Sequence, residues 1–317
     1  MARPDVVHAH WSYELAIAAM DCGFPYVITC HDSPLKVLKY FRNLYRLGRY
    51  LMALHVLKRA THLTAVSPYL RDEVAPMAGA PIVVVPNALS PVLMDMRPQA
   101  PRVPNLDAPR LAMVSNGWID LKNPKGGLAA FALIRQKRPN ATLHIYGAGY
   151  GAGGPAEAWA RNEQLDANVS FHGEVPHAAL LSALQTMDLL FHPSFEEAGS
   201  MIVTEAMALG LPIVGGRHSG AMPWLTGDGA AGIMTDVSKP TMLAEAVLDV
   251  LHDVPRYQGL SAGGIERAGA VFSADSVVRQ YEAVYRQAID GYAAAKSANS
   301  HGPLAGGPDK AANIREH

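Results

Sequence analysis

Short apolar runs that alternate with helical stretches are the feature of this sequence that most constrains its fold. The runs lie at residues 5–10, 26–31, 62–67 and 82–87 and, further along, at 110–116, 142–147, 169–173, 189–194 and 212–216. Strands this apolar are typical of parallel sheets that helices cover on both faces. Each strand, helix and following strand then form a right-handed crossover unit. The alternation predicts an α/β protein built from doubly wound parallel sheets.

The length and one irregular stretch predict the domain organisation. A chain of 317 residues suits two domains, taking about 150 residues for each. Residues 91–110 interrupt the alternation with five prolines and no periodicity, which indicates a linker. We expect a partial N-terminal domain with this linker at 1–105, a second domain at 106–273 and a final helix at 274–292. Residues 293–317 are rich in Ala, Gly, Asn and Ser, which predicts a disordered tail.

Composition excludes some classes of function. Hydrophobic residues make up 49% of the chain and charged residues 17%, as in a globular protein with a core. The formal net charge of -1 argues against a broad electrostatic grip on nucleic acid. We interpret Cys22 and Cys30, which have no partner at metal-binding spacing, as buried thiols in a reducing compartment. The sequence has no stretch apolar enough for a signal peptide or a membrane span, which predicts a cytoplasmic protein.

One segment leaves two interpretations open. Residues 40–63 are basic and amphipathic. A helix of this kind packs its apolar face on a sheet and turns its Arg and Lys side chains to water, or it lies on an anionic membrane surface. The first interpretation needs no partner, and the second predicts peripheral contact with the inner face of the cytoplasmic membrane.

Two carboxylates in the second half point to a binding site. Glu197 and Glu205 are separated by seven residues, in a segment predicted as strand (189–194), loop and helix (201–210). In parallel sheets, ligands bind beyond the carboxyl ends of the strands, where helix N-termini offer free N–H groups to phosphates. Two carboxylates beside such a turn suit a ligand with hydroxyls at both ends and phosphate between, as in a nucleotide sugar. The alternative is that both residues cap the helix or face water.

The wider sequence resembles a known family. "HPSFEEAGSMIVTEAMALGLPIVGG" is similar to the E-x(7)-E signature of the retaining glycosyltransferases of family 4, which have the GT-B fold of two facing Rossmann-like domains. Other segments match in the same order: "PDVVHAHW", "PYVITCHDS", "HLTAVS", "VVVPNAL", "KNPKGGLAAFALIRQKRPNATLHIYGAG", "NVSFHGEVPHAALLSAL" and "FSADSVVRQYEAVYRQAI". The resemblance covers about residues 3 to 290, and its ordered set of motifs is specific.

The resemblance implies roles for the signature residues. Glu205 corresponds to the carboxylate that holds the nucleotide ribose, and Glu197 to the one that contacts the transferred sugar. The backbone amides of Gly199, Ser200 and Met201 correspond to those that meet sugar and phosphate. A family with these contacts uses a nucleotide diphosphate sugar as donor, here a UDP- or GDP-sugar.

The resemblance also implies a lysine that neutralises the diphosphate leaving group. Lys122 is our choice, and Lys125 is the rival because the local alignment can slide. The family usually has an Arg shortly before this Lys, but the sequence here is "SNGWIDLK" (115–122), so Arg217 is considered as a substitute cation. The loop that contains Val175 corresponds to the one whose backbone contacts the base.

Polar residues at strand ends in the first half form a second candidate group. His10 occupies the place where the family has a polar residue beside the transferred sugar, so the resemblance implies a catalytic role. His31 and Asp32 end the next predicted strand and are candidates for the acceptor side of the cleft. His8, deeper along the same strand, is interpreted as structural. For His10 and His31 the alternative is a polar side chain that bonds only to local backbone.

The resemblance implies a reaction without a cofactor. Retention in this family is usually described as front-face attack, in which the leaving diphosphate helps to deprotonate the acceptor hydroxyl. We expect no metal, since the sequence has no Asp-x-Asp motif, and no partner nucleic acid. A hexose would move to a glycan or lipid-linked acceptor in cell-surface polysaccharide synthesis.

Two alternatives remain, and one of them arises because the first residues match the middle of the family's first domain. The first strand and its Gly-rich loop are then expected to be absent, through truncation, a misplaced start codon or a split gene. One alternative is a non-catalytic nucleotide-sugar-binding subunit that needs a partner polypeptide. The other is a GT-B relative that phosphorolyses or epimerises sugars.

Overall fold

The computed structural model describes residues 3–300, with side chains to residue 297. Its first sheet has four parallel strands in chain order: β1 (Val7–His10), β2 (Tyr26–Cys30), β3 (Leu63–Ala65) and β4 (Ile82–Val84). The connecting helices are α1 (Glu14–Asp21), α2 (Pro34–Phe41), α3 (Leu44–Arg59) and α4 (Pro68–Val74). The strand order does not reverse, so the described strands of this sheet form a singly wound arrangement without a switch point.

The second sheet is fully doubly wound. Its strands are β5 (Arg110–Val114), β6 (Thr142–Tyr146), β7 (Val169–Gly173), β8 (Leu189–His192), β9 (Ile213–Gly216) and β10 (Gly232–Thr235), in the order β10-β9-β8-β5-β6-β7. Every pairing is parallel. The order reverses between β5 and β8, which is where ligands bind in open sheets of this kind. The prediction of two parallel α/β units is confirmed.

Helices join the two units and cover the second sheet. A short helix, α5 (Pro91–Asp95), lies within the segment predicted to be an unstructured linker, and the rest of that segment is irregular. The helices around the second sheet are α6 (Pro124–Lys137), α7 (Pro155–Asn162), α8 (His177–Leu184), α9 (Met201–Ala208), α10 (Met222–Leu225), α11 (Pro240–His252) and α12 (Val254–Val271).

The last helix, α13 (Ala274–Ser300), packs back on the first sheet. Its Val277 and Val284 share an apolar cluster with Val27 of β2, and Tyr285 Oη lies 2.8 Å from Nδ1 of His8. This helix extends eight residues past its predicted end at 292, so the prediction of a disordered tail is wrong for residues 293–300. The rest of that predicted tail, 301–317, lies outside the described residues.

Two further sequence predictions need correction. The single helix predicted across residues 40–63 is divided, because Arg42 adopts a left-handed backbone conformation (φ 34°) that ends α2, and Asn43 then caps α3. The cap is a 2.9 Å hydrogen bond from the Arg46 N–H to Oδ1 of Asn43. Cys22 is exposed, while Cys30 is buried as predicted.

Candidate functional site

The candidate site is a cavity at the switch point of the second sheet. It has a volume of about 740 Å³ and is lined by the loops that follow β5, β6 and β7 and by the start of α9. Trp11, just after β1, lines it from the first sheet. The residues from the three loops include Ser115, Asn116, Gly147, Ala148, Glu174 and Val175. The loop with Val175 therefore lies where the predicted contact with the donor requires it.

The N-terminus of α9 opens into this cavity. Its N-cap residue, Ser200, makes no capping hydrogen bond with its side chain, so Ser200 does not satisfy the first N–H groups of the helix. Gly199, Ser200 and Met201 all line the cavity. The helix therefore directs free donors and the positive end of its dipole into the cavity, an arrangement that favours anions.

Gly199 lies where the two halves of the molecule are in close contact. A Cβ atom on Gly199 would lie 2.8 Å from Cγ2 of buried Val66 in the first half. Next to it, Ser67 Oγ donates a 2.5 Å hydrogen bond to the carbonyl oxygen of Ala198. The absence of a side chain at Gly199 lets the loop approach the first domain closely and sets the position of α9 across the cavity.

Glu197 forms the charged centre of the site. Its buried Oε1 accepts hydrogen bonds from Lys122 Nζ at 2.7 Å and from His192 Nε2 at 2.9 Å. Burial alone would raise the pKa of the Glu197 carboxyl, but the hydrogen bond and charge of His192, followed by those of Lys122, lower this pKa to about 2. Glu197 is therefore ionised at neutral pH and holds Lys122 against the cavity wall.

The structure distinguishes between the two candidate lysines. Lys122 ends a short 3₁₀ turn, Asp120–Lys122, and lines the cavity. The turn is fixed by Asn123, whose Nδ2 donates to the carbonyl oxygens of Pro193 (3.2 Å) and Val237 (2.8 Å). Lys125 is half-exposed and lies 3.7 Å from Asp120, outside the group of residues that line the cavity. Only Lys122 is in contact with Glu197.

Glu205, the second signature carboxylate, lies one turn along α9 from the cavity wall. It is buried, and its Oε1 accepts a 2.8 Å hydrogen bond from Nε2 of His177, the first residue of α8. Neither His177 nor His192 was among the candidates from sequence. His192 ends β8 five residues before Glu197, so its position at a strand end was a usable signal, whereas no sequence pattern links His177 to Glu205.

The first-half candidates form a histidine cluster at the ends of β1 and β2. His10 Nδ1 lies 2.8 Å from His31 Nε2, and the rings of His8 and His10 stack with centroids 4.4 Å apart. Burial lowers the pKa of His10, and burial followed by neighbouring histidines lowers the pKa values of His8 and His31 to about 4. These rings are therefore neutral at pH 7. His8 also bonds to Thr29, at 2.7 Å, as expected for a structural side chain.

A second cavity, of about 490 Å³, adjoins the first. It is lined by His31, Asp32 and the side of α2, and it shares Lys122, Glu197 and Gly199 with the larger cavity. Burial raises the pKa of Asp32, whose carboxylate accepts a 2.8 Å hydrogen bond from Tyr13 Oη. His10 itself lines neither cavity, and its neighbour Trp11 takes the place expected for it.

Arg217 does not replace the missing arginine. Its guanidinium donates to the carbonyl oxygen of Met234 at 3.4 Å and lines a separate depression with Arg256. Between residues 3 and 300 no group of three or more His, Cys, Asp or Glu side chains is placed to hold a metal ion. Lys122 is the one Lys or Arg side chain among the described residues that line the large cavity.

Two parallel α/β units that face each other across a cavity at the switch point define the GT-B glycosyltransferase architecture. Residues 99–267 match the family described as glycosyl transferases group 1, and residues 1–92 match glycosyltransferase family 4. The chain belongs to the glycosyl transferases group 1 family.

Curated relatives are consistent with this family. The 2-deoxystreptamine N-acetyl-D-glucosaminyltransferase of Streptomyces fradiae is 27% identical over 306 residues, which cover 90% of this chain and 72% of the relative. The D-inositol 3-phosphate glycosyltransferase of Corynebacterium diphtheriae is 29% identical over 195 residues, which cover 60% of this chain. The matched part spans only 44% of the length of that relative.

Solved structures share the fold. Sucrose-phosphate synthase from Thermosynechococcus elongatus superposes with a TM-score of 0.74 at 18% identity, covering 90% of this chain and 74% of its own. HepE from Anabaena, in complex with UDP and glucose, gives a TM-score of 0.70 at 18% identity, covering 89% of this chain and 78% of its own.

Proposed function

We propose that this protein is a retaining glycosyltransferase that moves a hexose from a UDP- or GDP-sugar to a glycan or lipid-linked acceptor in cell-surface polysaccharide synthesis. One observation carries the proposal. A buried carboxylate and a lysine, Glu197 and Lys122, meet at 2.7 Å beside an uncapped helix N-terminus, in the cavity between two parallel sheets. This arrangement offers a cation, backbone N–H donors and a hydroxyl acceptor within one enclosed space, which are the groups that a nucleotide sugar needs.

We propose one orientation for the bound donor. The base lies by the loop of Val175, Glu205 accepts hydrogen bonds from the ribose, and the diphosphate lies between the N-terminus of α9 and Lys122. Glu197 accepts hydrogen bonds from the sugar hydroxyls. In the free protein Lys122 is paired with Glu197, so binding of the diphosphate adds a second anion to this lysine without moving it into place.

The chemical step then needs no nucleophile from the protein. The acceptor oxygen attacks the anomeric carbon from the face that the diphosphate leaves, and the bond from that carbon to the diphosphate oxygen breaks. The electron pair of this bond stays on the diphosphate, which takes the proton of the acceptor hydroxyl. Lys122 and the α9 amides stabilise the charge that develops on the diphosphate. The proposal requires neither a metal nor a cofactor.

The acceptor is proposed to enter from the first domain. The smaller cavity has room for one or two rings, shares Glu197 with the donor cavity, and has His31 and Asp32 on its wall. His31 is neutral at pH 7 and Asp32 already accepts one hydrogen bond, so both can bond to a hydroxyl. His10 supports His31 through their 2.8 Å contact.

Incubation with donors tests this function and its two alternatives. The purified protein is mixed with UDP- and GDP-hexoses, alone or with glycans, lipid-linked sugars, D-inositol 3-phosphate or 2-deoxystreptamine, of which the last two appear in the names of relatives. Formation of an α-linked product from an α-linked donor supports the proposal. Saturable donor binding with no turnover in any mixture supports the non-catalytic subunit.

Two further outcomes identify the remaining alternative. Release of sugar phosphate only when inorganic phosphate is added supports a phosphorylase, and conversion of one donor sugar to its epimer supports an epimerase. Either result, or a product of inverted configuration, contradicts a retaining transferase.

We also propose that the protein is cytoplasmic and contacts the inner membrane surface through the tip between α2 and α3. No helix in the described residues combines the length and apolarity needed to span a bilayer. At the tip, the side chains of Leu44 and Tyr45 are exposed, Leu44 by 86% of its surface. Arg42 and Arg46 flank them, and the Arg46 guanidinium lies over the Tyr45 ring at 5.4 Å. Apolar side chains rimmed by arginines suit the interface of an anionic bilayer.

Vesicle sedimentation tests this contact. Binding to vesicles that contain phosphatidylglycerol, weak binding to pure phosphatidylcholine, and loss of binding in Leu44→Asp support it. Val92→Asp is the matched control, because Val92 is an exposed apolar residue in the linker. Equal binding of Leu44→Asp and the unsubstituted protein would contradict the proposal.

A further inference from the structure

Glu205 and His177 form a hydrogen-bonded pair in which the carboxylate is buried and the imidazole is exposed. The carboxylate side chain of Glu205 is only 9% exposed, whereas the imidazole of His177, its hydrogen-bond partner at 2.8 Å, is 59% exposed. A buried carboxylate needs hydrogen bonds to offset the loss of water. Among the described residues, His177 is the one side chain that supplies such a bond to Glu205. The partner of this carboxylate therefore stands at the surface, on the solvent side of the pair.

The pair lies next to residues that line the donor cavity. His177 begins α8 directly after Pro176, and the preceding residues Glu174 and Val175 line the cavity. Glu205 follows Ile202, another lining residue, by one turn of α9. The hydrogen bond therefore connects the start of α8 to α9 beside the cavity, although neither Glu205 nor His177 is among the residues that line it.

The hydrogen-bond chemistry leaves one carboxylate oxygen available. A carboxylate oxygen accepts hydrogen bonds, so in this contact Nε2 of His177 is the donor and Oε1 of Glu205 is the acceptor. Oε2 of Glu205 has no hydrogen-bond partner in the described part of the chain, and it is not among the buried polar atoms that lack one. Oε2 is therefore not completely buried and can accept a hydrogen bond from a ligand, and the bond at Oε1 restricts its direction.

We propose that His177 is a positioning residue for the donor: by holding Oε1 of Glu205, it directs Oε2 toward the ribose diol and gives the site its preference for ribose over 2′-deoxyribose. This inference rests on the proposed function, in which Glu205 binds the ribose. Without His177, the carboxylate loses its fixed orientation, and water replaces the imidazole at Oε1. The diphosphate contacts of Lys122 and α9 do not involve His177 and are unaffected.

Nucleotide affinities test the inference. Isothermal titration calorimetry with UDP, 2′-deoxy-UDP, GDP and 2′-deoxy-GDP gives, for the base that binds more tightly, the ratio of the two dissociation constants. We expect a ratio of roughly tenfold or more for the unsubstituted protein, because a hydrogen bond to a charged acceptor is lost in the deoxy analogue. His177→Ala should reduce the ratio to about twofold, and His177→Gln, which can still donate to Oε1, should restore most of it.

Kinetics and a control separate positioning from folding. In the transfer reaction His177→Ala should raise the KM for the donor while kcat changes by less than about twofold, since the affected contact is made equally in the ground state and the transition state. His252→Ala is the matched control, because His252 is an exposed histidine at the end of α11 in the same domain. It should keep the unsubstituted ratio, KM and melting temperature.

The outcomes distinguish this inference from the function beneath it. If Glu205→Ala abolishes the preference for ribose but His177→Ala retains it in full, His177 has no positioning role and the proposed function stands. If Glu205→Ala retains the preference, the ribose contact itself is wrong and both proposals fail. Failure of all four nucleotides to bind contradicts the donor site as a whole.

Discussion

The two signature carboxylates, Glu197 and Glu205, have partly similar surroundings. The differences between these surroundings indicate a separate role for each carboxylate. Glu197 and Glu205 are both buried, and each accepts a hydrogen bond from a histidine. Glu197 also pairs with Lys122, and its histidine, His192, is buried. Glu205 has no cation from Lys or Arg within 4.0 Å in the described part of the chain, and its histidine is exposed.

These differences suit the two carboxylates to opposite ends of one ligand. Lys122 and His192 keep the carboxylate of Glu197 ionised and in a fixed position. This carboxylate therefore suits the reacting end of the ligand, where charge develops in the transition state. A carboxylate with one outward-facing partner and one accessible oxygen suits the recognition of neutral hydroxyls. The uncapped N-terminus of α9 lies between them.

The largest expected effect comes from removing Lys122, the cation that pairs with Glu197 and not with Glu205. Lys122→Ala should lower kcat by roughly 100-fold to 1,000-fold, the usual cost of losing one group that stabilises transition-state charge. It should also weaken nucleoside diphosphate binding far more than nucleoside monophosphate binding. Steady-state kinetics and calorimetry measure both effects. Equal weakening of both nucleotides would show that Lys122 does not contact the diphosphate.

Acid unfolding sharpens the difference in ionisation. The pKa of Glu197 lies below its usual value of 4.5, at about 2, so the folded state is stabilised when the pH is above 4.5. This contribution, equivalent to about 3 kcal/mol, is lost as the pH falls from about 5 to about 2. Urea unfolding at a series of pH values should show the loss in the unsubstituted protein and a smaller one in Glu197→Gln. Parallel curves for the two proteins would contradict the assigned pKa.

A methyl group added at Gly199, which lies between the two carboxylates in sequence, tests how α9 is positioned. Gly199→Ala places a Cβ 2.8 Å from Val66 Cγ2, and Val66 is buried and branched, so it cannot move away easily. We expect a loss of about 1–3 kcal/mol in the free energy of unfolding, as is typical of overpacking. Chemical denaturation measures this loss. Val66→Ala combined with Gly199→Ala should recover part of it, and a double variant as unstable as the sum of the single ones would refute the contact.

The smallest expected effect is at the rival lysine. Lys125 is exposed and lies 3.7 Å from Asp120, which is itself exposed. Exposed pairs contribute little, so Lys125→Ala should change stability by less than about 0.5 kcal/mol. It should change kcat/KM by less than about threefold, because it leaves the pair of Lys122 and Glu197 intact. A loss of activity as large as that of Lys122→Ala would reverse the choice between the two lysines.

Local patterns predicted the parts of the molecule that depend on local physics. Apolar runs predicted nine of the ten strands and missed β10, and the segment with Glu197 and Glu205 was placed correctly as strand, loop and helix. Those predictions succeed because burial on both faces and strand-to-helix turns leave a signal in consecutive residues. The same kind of signal does not exist for His177, which meets Glu205 from a separate segment.

Other elements were missed because tertiary packing outweighs propensity. Four glycines within α12 argue against a helix from sequence. Two of them explain the exception: a Cβ on Gly263 would lie 2.2 Å from the carbonyl oxygen of Ala230, and one on Gly264 would lie 3.3 Å from that of Met207 in α9. α12 therefore packs closely against α9 at Gly264 and against the segment before β10 at Gly263. The break at Arg42 was missed because a left-handed Arg is uncommon.

A crystal structure of the protein with a bound nucleoside diphosphate shows directly whether the donor binds in the proposed orientation. We expect the ribose hydroxyls within hydrogen-bond distance of Glu205 Oε2, with the diphosphate between Lys122 and the amides at the start of α9. A nucleotide that binds with its ribose away from Glu205, or with its diphosphate out of reach of Lys122, would contradict this orientation.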